Sequence, residues 1–158
     1  MIPRMVHMVQ EDHAKLRSVA LKIVRAYGCG VRDNACKTKA VYEYVVRNFH
    51  WQEDPILEET LMWPKAFVTE MESRPPVYAD CASVNTALVS LLGALGIRAV
   101  FVFGSDGQSA GDGEPLIYHV WSGVPMDGKM FYLEPTVPCP AGRARKFASM
   151  FVRDPWDA

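Results

Sequence analysis

Three side chains in this sequence have the types and placement to break an acyl bond together: Cys81, His119 and Glu134. Cys81 opens the run CASVNTALVSLLGAL (81–95), which is apolar nearly all round and suits a central helix buried on most sides. A cysteine in the first turn of such a helix meets unpaired backbone N–H groups and the positive end of the helix dipole, and both stabilise a thiolate. The charge of Asp80 opposes that effect unless its carboxylate is engaged as the N-cap. Cysteine is also a common core residue, so position alone leaves a structural role open.

His119 stands in LIYHVWSGV (116–124), which reads as a strand, and KMFYLEP (129–135) reads as the next. Between them Pro125-Met126-Asp127-Gly128 is a strong hairpin signal. If Asp127-Gly128 is a two-residue turn, Trp121 faces Glu134 and His119 faces Thr136. His119, Trp121 and Glu134 then share one face, and His119 and Glu134 are diagonal neighbours roughly 7–8 Å apart at Cα, within side-chain reach. A slip of one residue would send Glu134 to the other face and destroy the pair. A base held by a third group beside a helix-N-terminal cysteine is the general arrangement for covalent acyl transfer. The plainer alternatives are a structural strand histidine and a solvated strand-end carboxylate.

The elements needed to position these groups are legible around them. Leu16, Val19, Ala20, Ile23, Val24 and Tyr27 recur at helical spacing over 12–27, and Gly28 and Gly30 close the run. Asp33 or Asn34 caps a second helix to about Asn48, with Ala40, Val41, Tyr44 and Val45 on its apolar face. From Phe49 to Pro76 the pattern is irregular, punctuated by Pro55, Pro64, Pro75 and Pro76, with a short helix expected over Pro64 to Met71. IRAVFVFG (97–104) reads as a further strand. GSDGQSAGDGEP (104–115) reads as a loop, either a lid over the site or a surface connection, and its Asp106 and Asp112 do not fit calcium-loop spacing. The tail from Pro138, with Arg143, Arg145 and Lys146, reads as a capping extension. Helices followed by an antiparallel sheet predict an α+β fold, and 158 residues predict one domain spanning 1–158.

Composition removes several function classes. A formal net charge of -1 gives no basic excess for nucleic acid. The N-terminus MIPRMVHMVQEDHAKL lacks a signal-type apolar stretch, and no segment approaches a bilayer-spanning run, so a soluble cytoplasmic chain is expected. Cysteines 29, 36, 81 and 139 form no CxxC pair and no zinc-ligand spacing with histidine. Cys29 and Cys36 are near enough in sequence to bridge, but are expected as reduced thiols in a cytosolic setting. The dinucleotide-binding motif GxGxxG is absent, as is the full P-loop pattern GxxxxGK[ST].

Taken together, the motifs resemble a known family. Phe49-His50-Trp51-Gln52-Glu53-Asp54-Pro55, then Glu59-Thr60-Leu61 and Pro64, then Asp80-Cys81 opening a helix that runs to Leu95-Gly96-Ile97, resembles the core of transglutaminase-like proteins, especially the small bacterial and phage branch. His119-Val120-Trp121, Asp127-Gly128 and Leu133-Glu134-Pro135-Thr136 are similar to that family's histidine strand and terminal motif. The resemblance covers about residues 40–136. It implies a papain-like core in which the cysteine attacks a carboxamide or peptide carbonyl, the histidine shuttles the proton, and an acyl-thioester is resolved by water or an amine. Glu134 stands where the family usually has aspartate.

The resemblance implies no metal and no cofactor, and a protein or peptide as substrate. The backbone N–H of Cys81 is the first oxyanion donor. Trp51 is similar in position to an aromatic residue that supplies the second donor in eukaryotic transglutaminases; Gln52 is a further candidate, and a core-packed Trp51 is the plain alternative. Two rivals stand beside the enzyme. One is a catalytically inactive binding or assembly module on the same fold, such as a phage-related one, in which Cys81 would be buried. The other is a zinc hydrolase, for which third and fourth ligands at suitable spacing are missing.

Overall fold

The computed structural model describes residues 1–11, 13–54, 60–109, 115–136 and 149–157, with the side chains of 106–109 and 115–118 outside the description. Its order is α1 (Ile2–Val9), α2 (His13–Ala26), α3 (Asn34–Arg47), β1 (Phe49–Trp51), α4 (Pro64–Ser73), β2 (Val77–Ala79), α5 (Cys81–Ala94), β3 (Val100–Ser109), β4 (Pro115–Met126), β5 (Lys129–Leu133) and β6 (Ser149–Arg153). The architecture is α+β, as the order of patterns predicts.

α5 is the axis of the molecule. It touches all four other helices on one side and β3 and β4 on the other. Ala82 through Leu92 are all buried, which accounts for a helix without a polar face. Leu88, Leu91 and Leu92 are in one core with Leu16, Phe67, Phe101, Phe103 and Leu133. Burial on this scale is worth ~25 cal/mol per Å² of apolar surface and is the main force holding helices to sheet.

The four-stranded sheet runs β5-β4-β3-β6, antiparallel throughout. The β4–β5 hairpin turns on Asp127 and Gly128, at φ 51° and 73°. Two successive left-handed residues match the right-handed strand twist, which is why an Asp-Gly pair serves here. Pairing runs from Met126↔Lys129 to Ser122↔Leu133, the register expected from the two-residue turn.

Several expectations are revised. α1 was not evident in the periodic pattern. The irregular stretch after Asn48 contains β1, which pairs in parallel with β2 through Phe49↔Val77 and Trp51↔Ala79. Three-residue strands are too short to show alternation. Residues 105–109 continue β3 rather than beginning a loop, past an irregularity at Gly104/Ser105. The remainder of that segment, 110–114, lies outside the described residues, as do 137–148 of the expected capping tail. Residues 149–153 of the tail are strand β6, zipped along β3. Cys29 and Cys36 are joined in a disulfide across the α2–α3 turn. The turn itself brings them together: Gly28 at φ 71° ends α2 and Asp33 caps α3 by accepting from the Cys36 N–H. Such a bond persists in oxidising surroundings, which runs against the expected reduced thiols. Among the described residues no helix is long and apolar enough to cross a membrane.

Candidate active site

Cys81 is the first residue of α5, entered directly from β2 through Asp80. Asp80 is the N-cap, and its carboxylate accepts from the Ser83 N–H at 2.8 Å. The acid whose charge would oppose a thiolate is thus engaged with the helix end. Cys81 is partly exposed and carries no disulfide. The first-turn N–H groups around it have no carbonyl one turn back to bind.

His119 comes from β4, where it stacks on Trp121 at 5.5 Å between ring centroids. The two are separated by one residue, so the pleat places them on the same face. Glu134 follows the last residue of β5, and its Oε2 accepts from His119 Nε2 at 2.5 Å. The diagonal contact expected from the hairpin register is therefore made. Nε2 is engaged by the carboxylate, and the Cys81 side chain interacts with the same ring. Burial by itself would lower the imidazole's pKa. The Cys81 and Glu134 interactions outweigh it, and His119 is pushed up to about 9.

Glu134 is itself held. Its Oε1 accepts from the Thr136 N–H at 3.1 Å and from the Thr136 hydroxyl. Its backbone carbonyl accepts from the Tyr42 hydroxyl at 2.8 Å. Burial and the nearby Glu134 charge raise the Tyr42 pKa, which keeps the phenol a donor. Tyr42 carries no signal in the sequence beyond its place on α3, because the contact joins residues 92 apart.

A groove of about 360 Å³ is bounded by Gln52, Asp54, Thr60, Tyr78, Asp80 and Ser83 among others; Asp80 and Ser83 place it next to the start of α5, while Cys81, His119 and Glu134 are not among the residues that line it. Its rim is braced from within. Asp54 accepts from the Thr60 N–H and hydroxyl, and the Ser83 hydroxyl accepts from the Met62 N–H at 3.0 Å. Gln52 gives its backbone N–H to Ala79 carbonyl oxygen at 2.9 Å, so only its side chain is offered to the groove. Trp51 pairs with Ala79, two residues before Cys81, and is 51% exposed. The core-packed alternative for Trp51 is thereby excluded. A larger hollow of about 460 Å³, lined by Met8, Glu11, Trp63 and Pro64 among others, shares no residue with this site. Among the described residues no three His, Cys, Asp or Glu side chains gather as a metal site.

The family model of the transglutaminase-like superfamily matches residues 22–135. The chain belongs to that superfamily. In this transglutaminase-like chain the match begins within α2 and closes on Glu134-Pro135, so it takes in all three of Cys81, His119 and Glu134. The fold is similar to a crystal structure from Parabacteroides distasonis described as a "putative protease", with TM-score 0.64 and 16% identity. The similarity covers 82% of this chain and 24% of that one, so the transglutaminase-like chain spans about a quarter of its neighbour's length. No curated protein matches it in sequence.

Proposed function

We propose that this transglutaminase-like chain is a cysteine-dependent acyl-transfer enzyme acting on a peptide bond or glutamine-type amide, with hydrolysis favoured over cross-linking. The observation that supports it is the His119–Glu134 hydrogen bond, with Cys81 interacting with the same ring from a helix N-terminus.

In this reaction the Cys81 thiolate attacks the substrate carbonyl carbon, and the displaced π pair moves onto oxygen. That oxyanion accepts from the Cys81 backbone N–H, with the Trp51 indole N–H or the Gln52 amide as second donor. Collapse of the tetrahedral adduct breaks the C–N bond, and His119 delivers a ring proton to the departing amine or ammonia. An acyl-thioester on Cys81 remains. Neutral His119 then takes a proton from water as the oxygen adds to the thioester carbonyl. Expulsion of the thiolate frees the acid and restores the imidazolium, while Glu134 holds the ring in one orientation throughout. Water is the favoured acceptor because the groove is open and a chain of this size has little extra structure to exclude it. The partial exposure of Cys81 favours this over an inactive module built around a buried thiol.

The test is mass-spectrometric trapping of an acyl adduct on Cys81 during incubation with a panel of glutaminyl and longer peptides. It is paired with the rate of Cys81 alkylation by iodoacetamide across about pH 5 to 9, in wild type and His119→Ala. An adduct, with acid-side labelling that vanishes without His119, is expected. No adduct and labelling indifferent to His119 would leave the binding module as the better account.

A further inference from the structure

α5 is apolar nearly all round, yet at its second turn it buries an asparagine completely: Asn85 has 0% exposure. Asparagine is a poor residue for a helix interior, and a buried amide costs stability unless all its bonds are met. Here they are met across two elements. Nδ2 donates to the Cys81 carbonyl at 2.8 Å and to the Val120 carbonyl at 3.0 Å, while Oδ1 accepts from the Ser122 hydroxyl at 2.6 Å. The reversed amide would set Oδ1 against two carbonyl oxygens, so the orientation is determined by its partners.

The Val120 carbonyl needs a donor for a reason written in the hairpin. The narrow pairs of an antiparallel ladder recur every second residue, from Met126↔Lys129 through Val124↔Phe131 to Ser122↔Leu133. The next in that series would set Val120 opposite Pro135, which has no N–H to give. The ladder stops at Leu133, leaving Glu134 off the strand and bonded to His119. Asn85 supplies the missing donor, and it does so from one turn along α5 from Cys81.

We propose that Asn85, locked by Ser122, is the positioning residue that sets Cys81 against His119. One amide nitrogen ties the carbonyl of Cys81 to the carbonyl of the residue next to His119. Both reacting groups are thus referenced to a single buried atom, and relaxation at that atom separates helix end from strand. An apolar residue of similar size would fill the same volume and leave the two carbonyls to drift apart. This inference rests on the acyl-transfer chemistry proposed above.

The test uses Asn85→Leu, which keeps volume, and Ser122→Ala, which leaves the amide in place but frees its oxygen. Two quantities are read on each: the NMR titration of the His119 ring, and the iodoacetamide labelling rate of Cys81 as a function of pH. The expected result is about a tenfold loss of labelling near pH 6 in Asn85→Leu, a smaller loss in Ser122→Ala, and a downward shift of the His119 titration in both. Should Asn85→Leu fail to fold, Ser122→Ala carries the test alone. Folded variants that keep the wild-type titration and labelling profile overturn the proposal and reduce Asn85 to a satisfied core amide. A wild type in which His119 titrates at its ordinary value and labelling ignores His119→Ala overturns the acyl-transfer chemistry itself, and this role with it.

Discussion

Glu134 divides its carboxylate between two partners, with Oε1 on Thr136 and Oε2 on His119. Shortening the side chain by one methylene would draw both oxygens back from a ring reached diagonally across the hairpin. Glu134→Asp therefore should not act as a neutral change here, although aspartate is the usual residue in the family. We expect acid-side alkylation of Cys81 to fall about tenfold in Glu134→Asp, the equivalent of ~1.4 kcal/mol in the barrier. Glu134→Gln, which keeps length but loses charge, should lower the His119 titration measured by NMR.

The His119 titration also shapes stability. Burial disfavours its charged form, but Cys81 and Glu134 together hold the ring protonated to about 9, above the ordinary 6.5. A folded value raised above the unfolded one contributes stability that is complete below about pH 6.5 and is lost as pH rises through about 9. Thermal melts of wild type minus His119→Gln should show a difference near pH 6 that shrinks by pH 9.5. A difference that grows with pH would contradict the site's electrostatics.

Gly93 on α5 lies under the ring of Trp156. A Cβ added there would overlap Trp156 Cη2, while Trp156 Nε1 donates to the Ala99 carbonyl at 2.9 Å and resists displacement. Gly93→Ala should destabilise by about 1–3 kcal/mol, outweighing alanine's better helix propensity. In the double variant with Trp156→Ala the two losses should add to less than their sum, measured by urea denaturation.

The Cys29–Cys36 disulfide spans a sequence separation of 7. Constraining so short a loop in the unfolded chain is worth about 2 kcal/mol. The paired Cys29→Ala, Cys36→Ala variant should unfold at lower denaturant. Its Cys81 labelling profile should stay that of wild type.

Much of this site could be read before the fold was known because it hangs on one local turn. Asp127-Gly128 dictates a two-residue hairpin, the hairpin dictates the register, and the register brings Glu134 to His119. Cys81 was legible for a similar reason, since Asp80 marks a helix start within a few residues. What escaped is non-local or too short to repeat. Tyr42 reaches Glu134 from a helix 92 residues away, and β1 and β2 hold only three residues each. Asn85 did leave a trace, as the one amide in a helix whose other polar side chains are hydroxyls, but its partners Val120 and Ser122 belong to a strand 35 and 37 residues on. β6 was hidden because its pairing with β3 depends on a segment far along the chain.

The Asp127-Gly128 turn also limits how genes encoding this fold can drift. Inserting or deleting one codon between Val120 and Leu133, where no bulge or longer turn absorbs it, inverts which face every later side chain of the hairpin presents, and Glu134 leaves His119 although no site residue has changed. Length changes tolerated in this hairpin should therefore come in twos. A descendant that acquired a single extra residue there would retain cysteine, histidine and carboxylate in an intact order, and a motif search would go on reporting an active enzyme.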